Sequence, residues 1–101
     1  VLGIALTSLD LALGNSANKL LVINMLNDNS ANDFVYDEYI DDSSWWGMFA
    51  MRGYQAYGNS SWIENVRGLV EDNLAALDDT CGGGVRWLTY NYVDKNTITN
   101  T

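Results

Sequence analysis

The chain contains no histidine, a single cysteine (Cys81) and only five basic residues against thirteen acidic ones. Each shortage removes a class of chemistry. Without histidine and with one thiol, neither a zinc site nor a Ser-His or Cys-His catalytic pair can be assembled from these residues, so no metal and no cofactor is expected. Cys81 has no internal disulfide partner. A net charge of −8 argues against nucleic acid and anionic membranes as partners, and suits a neutral ligand or polymer. No apolar run approaches the roughly 20 residues that a bilayer crossing requires. The stretch "VLGIALTSLDLALG" (1–14) is apolar, but it carries Asp10 and lacks a basic leader, so it reads poorly as a signal peptide.

What is present can fold. A hydrophobic content of 48% and an aromatic content of 12% in 101 residues are enough for one domain with a modest core. "NSS" at Asn59–Ser61 is a glycosylation sequon and points toward secretion.

An internal repeat organises the chain. "ALGNSANKLLVINMLNDN" (12–29) and "AYGNSSWIENVRGLVEDN" (56–73) coincide at Ala12/Ala56, Gly14/Gly58, Asn15/Asn59, Ser16/Ser60, Asp28/Asp72 and Asn29/Asn73, an offset of 44 residues. A fixed period of this length marks an array of helical hairpins. Leu2, Leu6, Leu9 and Leu13 form a stripe at helical spacing closed by Gly14. A second helix is expected at roughly 17–27 and a third at roughly 44–57, apolar nearly all round and therefore buried on several sides. The fourth, roughly 61–77, has one stripe (Ile63, Val66, Leu69, Val70, Leu74, Leu77) and a wet face of Glu64, Arg67, Glu71 and Asp72. Short Gly-Asn-Ser turns then alternate with long loops, about 28–43 and 78–97, which emerge at one end while Asn59 lies at the other. A short hairpin is expected around 84–93, and "NTITNT" looks like the start of a third inner helix.

The candidate chemistry sits in "DEYIDDSSWWGMFAMRGYQAYGN" (37–59), where Asp41 and Asp42 precede Trp45 and Trp46. Taken alone, the acids read as capping material for the third helix. Beside an aromatic wall they are also what sugar chemistry needs. Glycoside hydrolysis uses two carboxyl groups, one protonated and one ionised, standing roughly 5–5.5 Å apart when the second attacks the sugar covalently. The positive end of a helix favours the ionised partner. Trp45 and Trp46 divide between filling the core and stacking on a pyranose. "CGGG" (81–84) is either a tight turn or a place where backbone approaches a ligand closely. Lys95 and Asn96 either open the next helix or border a cleft.

Three blocks in order, "IDDSSWWGMFAMRGYQAYGN", "LDDTCGGGVRW" and "KNTITN", resemble the motifs of glycoside hydrolase family 76, the endo-α-1,6-mannanases and related fungal cell-wall mannosidase-like proteins. The match spans about residues 39–100. The resemblance implies an all-α toroid of six α/α hairpins and retaining cleavage or transfer at α-1,6-mannosyl linkages. It puts the nucleophile on Asp41, the general acid/base on Asp42, and the sugar-binding positions on Trp45, Trp46, Gly83, Trp87, Lys95 and Asn96. It further implies α-mannan or a mannosylated glycan as substrate and a secreted or cell-wall location. Association with the membrane through a glycolipid anchor outside this chain, a glycan on Asn59 and a partner for Cys81 in another segment go with the fungal branch. Six hairpins at the observed period need roughly 260 residues. Residues 1–101 are therefore expected to be one incomplete domain of two to three hairpins. A non-catalytic helical-hairpin module that binds glycan or protein is the alternative, needing the aromatics but not both acids.

Overall fold

Two left-handed glycines divide the chain. Gly14 (φ 63°) and Gly58 (φ 69°) each take the conformation that ends a helix and reverses its direction at no steric cost. The computed structural model describes residues 1–31, 34, 39–89 and 94–100. Among these, α1 (Leu2–Leu13) and α2 (Lys19–Ser30) form one hairpin, and α3 (Ile40–Tyr57) and α4 (Ile63–Ala75) the next, followed by a single 3-10 turn at Thr80–Gly82. After each glycine the asparagine side chain accepts the amide two residues on: Asn15 from Ala17 at 3.2 Å, Asn59 from Ser61 at 3.0 Å. The sequence repeat is thus a repeat of turn chemistry.

The helices α1 and α3 run parallel, with Gly3 against Phe49 near one end and Asp10 against Tyr57 near the other. Their partners α2 and α4 run back outside them, Leu26 meeting Gly53 and Asn73 meeting Ser44. The core between the layers is Val22, Leu26, Phe34, Phe49, Ala50, Trp62 and Leu69. This is an all-α arrangement of α/α hairpins. No helix among the described residues is long and apolar enough to cross a membrane.

Several expectations are corrected. The face that α1 buries is Gly3, Thr7 and Asp10, not its leucines. Leu2 and Leu13 are each 64% exposed, and of that stripe only Leu6 packs on the core. The reason is the close approach of α3, which leaves room for a glycine and a threonine whose hydroxyl bonds back to the Gly3 carbonyl at 2.9 Å. On α4 only Leu69 of the expected stripe is buried, while Val70 and Leu74 are exposed. Its wet face is as expected, with Arg67 and Glu64 paired at 3.1 Å in solvent. Likewise α3 buries Ile40, Ser43, Gly47, Phe49, Ala50 and Gly53 but leaves Trp45, Met48, Met51 and Tyr54 exposed.

The loop end also differs from expectation. The start of α3 lies at Ile40 rather than near 44, so Asp41 and Asp42 belong to its first turn and not to a loop before it. The expected hairpin over 84–93 lies partly outside the described residues. Within them, Val85 bridges to Leu77 and Leu88 to Tyr39, so this segment pairs with two other elements. At 97–100 the backbone makes a turn, Asn100 N–H to the Thr97 carbonyl at 3.2 Å, in place of a helix.

Candidate active site

The site is built on the first two turns of α3. The amide of Ile40 donates to the carbonyl of Trp87 at 3.0 Å, which satisfies one of the donors that a helix start leaves open. The Tyr39 ring tilts against Trp87 with centroids 5.1 Å apart. One turn on, Ser44 donates its hydroxyl to the Ile40 carbonyl at 2.7 Å and accepts from Asn73 Nδ2 at 2.9 Å, fastening α4 beneath the acids. Both short turns lie at the other end of the helices, and at this end Tyr39 bridges to Leu88 of the segment after α4.

Successive residues on a helix point about 100° apart, so the two carboxylates diverge, and residues three or four apart share a face. Spacing alone puts Asp41 on the face of Trp45, and Asp42 on the face shared by Trp45 and Trp46. Asp42 is exposed and lines a cleft of about 500 Å³ with Trp45, Trp46, Phe49, Met25 and the first residues of α1. Asp41 is half-buried; its Oδ1 is shielded from solvent and has no hydrogen-bond partner among the described residues. Buried polar atoms of this kind are uncommon. The tryptophans separate. Trp46 stacks on Phe34 at 6.0 Å and tilts against Phe49 at 5.8 Å, so it fills the core. Trp45 is 40% exposed and also borders a second cleft of about 560 Å³ between α3 and α4, with Met48, Met51, Val70 and Asn73.

A sequence profile of glycosyl hydrolase family 76 matches residues 14–101. The chain belongs to glycosyl hydrolase family 76. It is 32% identical over 102 aligned residues to "Mannan endo-1,6-alpha-mannosidase DFG5" of Candida albicans, an alignment covering 85% of this chain and 23% of that protein. It is 29% identical over 106 residues to "Putative mannan endo-1,6-alpha-mannosidase C1198.07c" of Schizosaccharomyces pombe, covering 88% of this chain and 24% of that protein. The chain thus spans about a quarter of the length of these relatives. No solved structure matches it.

Of the other positions expected at the site of this family 76 chain, Trp87 reaches the acids most directly, through its backbone bond to Ile40. Gly83 (φ 110°) belongs to a run from Cys81 to Gly84 with every φ positive, and Cys81 itself is at φ 58°. It is exposed on the loop after α4. Lys95 Nζ donates to Asp78 Oδ1 at 2.6 Å, to the Asp78 carbonyl at 2.9 Å and to the Thr80 carbonyl, closing that loop. Beside this ammonium, the Asp78 carboxyl is held below the usual carboxylate range, aided by the Thr80 amide. Asn96 caps the last turn, its Oδ1 accepting from Thr99 N–H at 2.8 Å. Among the described residues, no group of three His, Cys, Asp or Glu side chains could hold a metal ion.

Sequence reasoning missed the polar lock at the opposite end. Asp10 is 1% exposed and accepts from Tyr57 Oη at 2.6 Å, the Asn18 amide at 2.9 Å and Asn18 Nδ2 at 2.8 Å. These donors, Tyr57 foremost, lower the Asp10 pKa against the opposing effect of burial. Burial and the adjacent carboxylate push the Tyr57 hydroxyl up to about 12. The available signal was the row Gly3, Thr7, Asp10, small or polar residues at helical spacing inside a leucine-rich helix.

Proposed function

We propose that this segment carries the catalytic aspartates of a retaining glycosidase or transglycosylase acting on α-1,6-linked mannan. The supporting observation is the start of α3: Asp41 and Asp42 share its first turn, and Asp42 lines one cleft with the exposed indole of Trp45. The names of the two relatives supply the substrate class. In this reading Asp41, as the carboxylate nucleophile, attacks the anomeric carbon of a mannosyl unit. Asp42 protonates the glycosidic oxygen as the bond breaks, leaving a mannosyl ester on Asp41. It then deprotonates the water or sugar hydroxyl that resolves the ester. Trp45 stacks on the apolar face of the ring, with Trp46 as the wall behind it. Trp87 and Gly83 extend the wall toward the loop after α4, and Lys95 and Asn96 hold that loop. A cell-wall or extracellular location follows from such a substrate. A glycan on Asn59, at the turn end, would stand clear of the cleft.

The test uses the full-length polypeptide that carries this segment. Asp41→Asn and Asp42→Asn each abolish turnover of an α-1,6-mannan while leaving its binding intact, and wild-type product forms with retained anomeric configuration by NMR. Substantial turnover in either variant removes the mechanism. Binding without turnover in the wild type itself points to the non-catalytic glycan-binding module.

A further inference from the structure

We propose that Lys95 is a positioning residue for the aspartate pair, acting through the backbone of Trp87 and not through contact with sugar. This rests on the reading of Asp41 and Asp42 as the catalytic groups. The Lys95 side chain is 8% exposed, and an ammonium so enclosed must have its donors satisfied. It has three N–H groups, and three oxygens take them: Asp78 Oδ1, the Asp78 carbonyl and the Thr80 carbonyl. No donor remains for a substrate hydroxyl. Arg86 Nε lies 3.7 Å from the other oxygen of Asp78, so a second cation shares the same carboxylate.

The consequence reaches the acids by a short covalent and hydrogen-bonded route. The residue before Lys95, Asp94, accepts the Trp87 amide at 2.9 Å, and the Trp87 carbonyl accepts the Ile40 amide at 3.0 Å. Asp41 is the next residue. On the other side the same segment is laced to the end of α4, Arg86 N–H to the Ala76 carbonyl at 3.1 Å and Asp78 N–H to the Gly84 carbonyl at 3.2 Å. Residues 84–88 therefore form a strap from the end of α4 to the start of α3, and Lys95 pins the loop at which the strap begins. Without the ammonium the strap loosens and the first turn of α3 frays. Misplacing a reacting group by about 1 Å can cost on the order of 100-fold in rate.

The test compares Lys95→Met and Asp78→Asn with wild type in the full-length polypeptide. It measures kcat and KM on an α-1,6-linked mannooligosaccharide, and amide exchange at Ile40 and Trp87 with Gly58 as internal control. The Gly58 amide is held by the Tyr54 carbonyl at the far end. Lys95→Met lowers kcat about tenfold with KM within about twofold, and speeds exchange at Ile40 and Trp87 about tenfold without changing Gly58. Asp78→Asn keeps both carbonyl acceptors, shows a smaller change of the same kind, and carries both readouts if Lys95→Met does not fold. A raised KM at unchanged kcat makes Lys95 a substrate ligand and overturns the proposal, as does unchanged exchange at Ile40. Absence of wild-type turnover overturns the proposed function instead, and the exchange measurement still decides the role of Lys95.

Discussion

Replacing Gly3 by alanine tests the packing that sets α1 against α3. A Cβ built on Gly3 would lie 2.2, 2.3 and 2.5 Å from the Cζ, Cε2 and Cε1 atoms of Phe49. Carbon atoms in contact prefer roughly 3.5–4.0 Å, so the ring would have to withdraw by more than about 1 Å. It has little room to do so. Phe49 is 4% exposed, Trp46 backs it at 5.8 Å, and Phe34 backs Trp46 at 6.0 Å. Overpacking of this kind costs about 1–3 kcal/mol, and the enclosure argues for the upper half of that range. Helix propensity opposes it by about 1 kcal/mol at most, less here because Gly3 is in the first turn of α1. The net effect is a destabilisation of about 1.5–2.5 kcal/mol. Gly68 supplies the control, since it lies mid-way along α4 and a Cβ there meets nothing within 4 Å. Gly68→Ala therefore stabilises by about 0.5–1 kcal/mol. The same chemical change at two helical glycines thus has opposite signs. Urea midpoints at unchanged m-value, measured in the full-length polypeptide, report the difference. Phe49→Leu placed on Gly3→Ala should recover part of the loss, a non-additivity expected of residues in contact. Equal stabilisation by both alanines would refute the close approach of α1 to α3.

The tryptophans should respond separately. Trp46→Ala destabilises by about 3 kcal/mol, the lower end for a large aromatic because it is only half-buried, whereas Trp45→Ala leaves stability nearly unchanged and weakens mannan binding. Calorimetry of each variant with and without glycan distinguishes them. The lock at the turn end should give stability a signature at both pH extremes. The lowered Asp10 pKa means that its contribution is full above the unfolded value near 4 and is lost as pH falls through the folded value. The raised Tyr57 pKa means the reverse, a contribution full below about 10 and lost as pH rises toward about 12. Denaturation midpoints against pH should therefore lose part of their acid limb in Asp10→Asn and part of their alkaline limb in Tyr57→Phe. Unchanged limbs in both variants would contradict the hydrogen-bonded lock.

The readable parts of the sequence were those fixed by neighbours along the chain. Gly14 and Gly58 announce the reversals because only their own backbone conformation and the adjacent asparagines decide them, and the repeat made each turn support the other. The acids could be placed just ahead of a helix and beside indoles because the spacing is local. The parts that failed depend on partners far along the chain. The leucines of α1 look like its inner face, but which face is covered depends on how closely α3 comes. Asp10 becomes an acceptable buried group only when Asn18 and Tyr57 converge on it. The helix α3 begins a turn early because a carbonyl from Trp87 receives its first amide, and nothing near Ile40 signals that. Lys95 was legible as a residue of the loop end, but its engagement with Asp78 follows only from the path of the glycine-rich loop.

The contact between α1 and α3 is a seam of two kinds, ring against glycine near the cleft and carboxylate against phenol near the turns. Sequence drift should respect that division. Near the cleft any replacement that conserves total volume across the seam is tolerable, including a larger residue at position 3 matched by a smaller one at 49. Near the turns size matters little, and an acceptor must instead be exchanged together with its donors. Homologous chains are therefore expected to vary in compensating bulk at one end and in compensating polarity at the other.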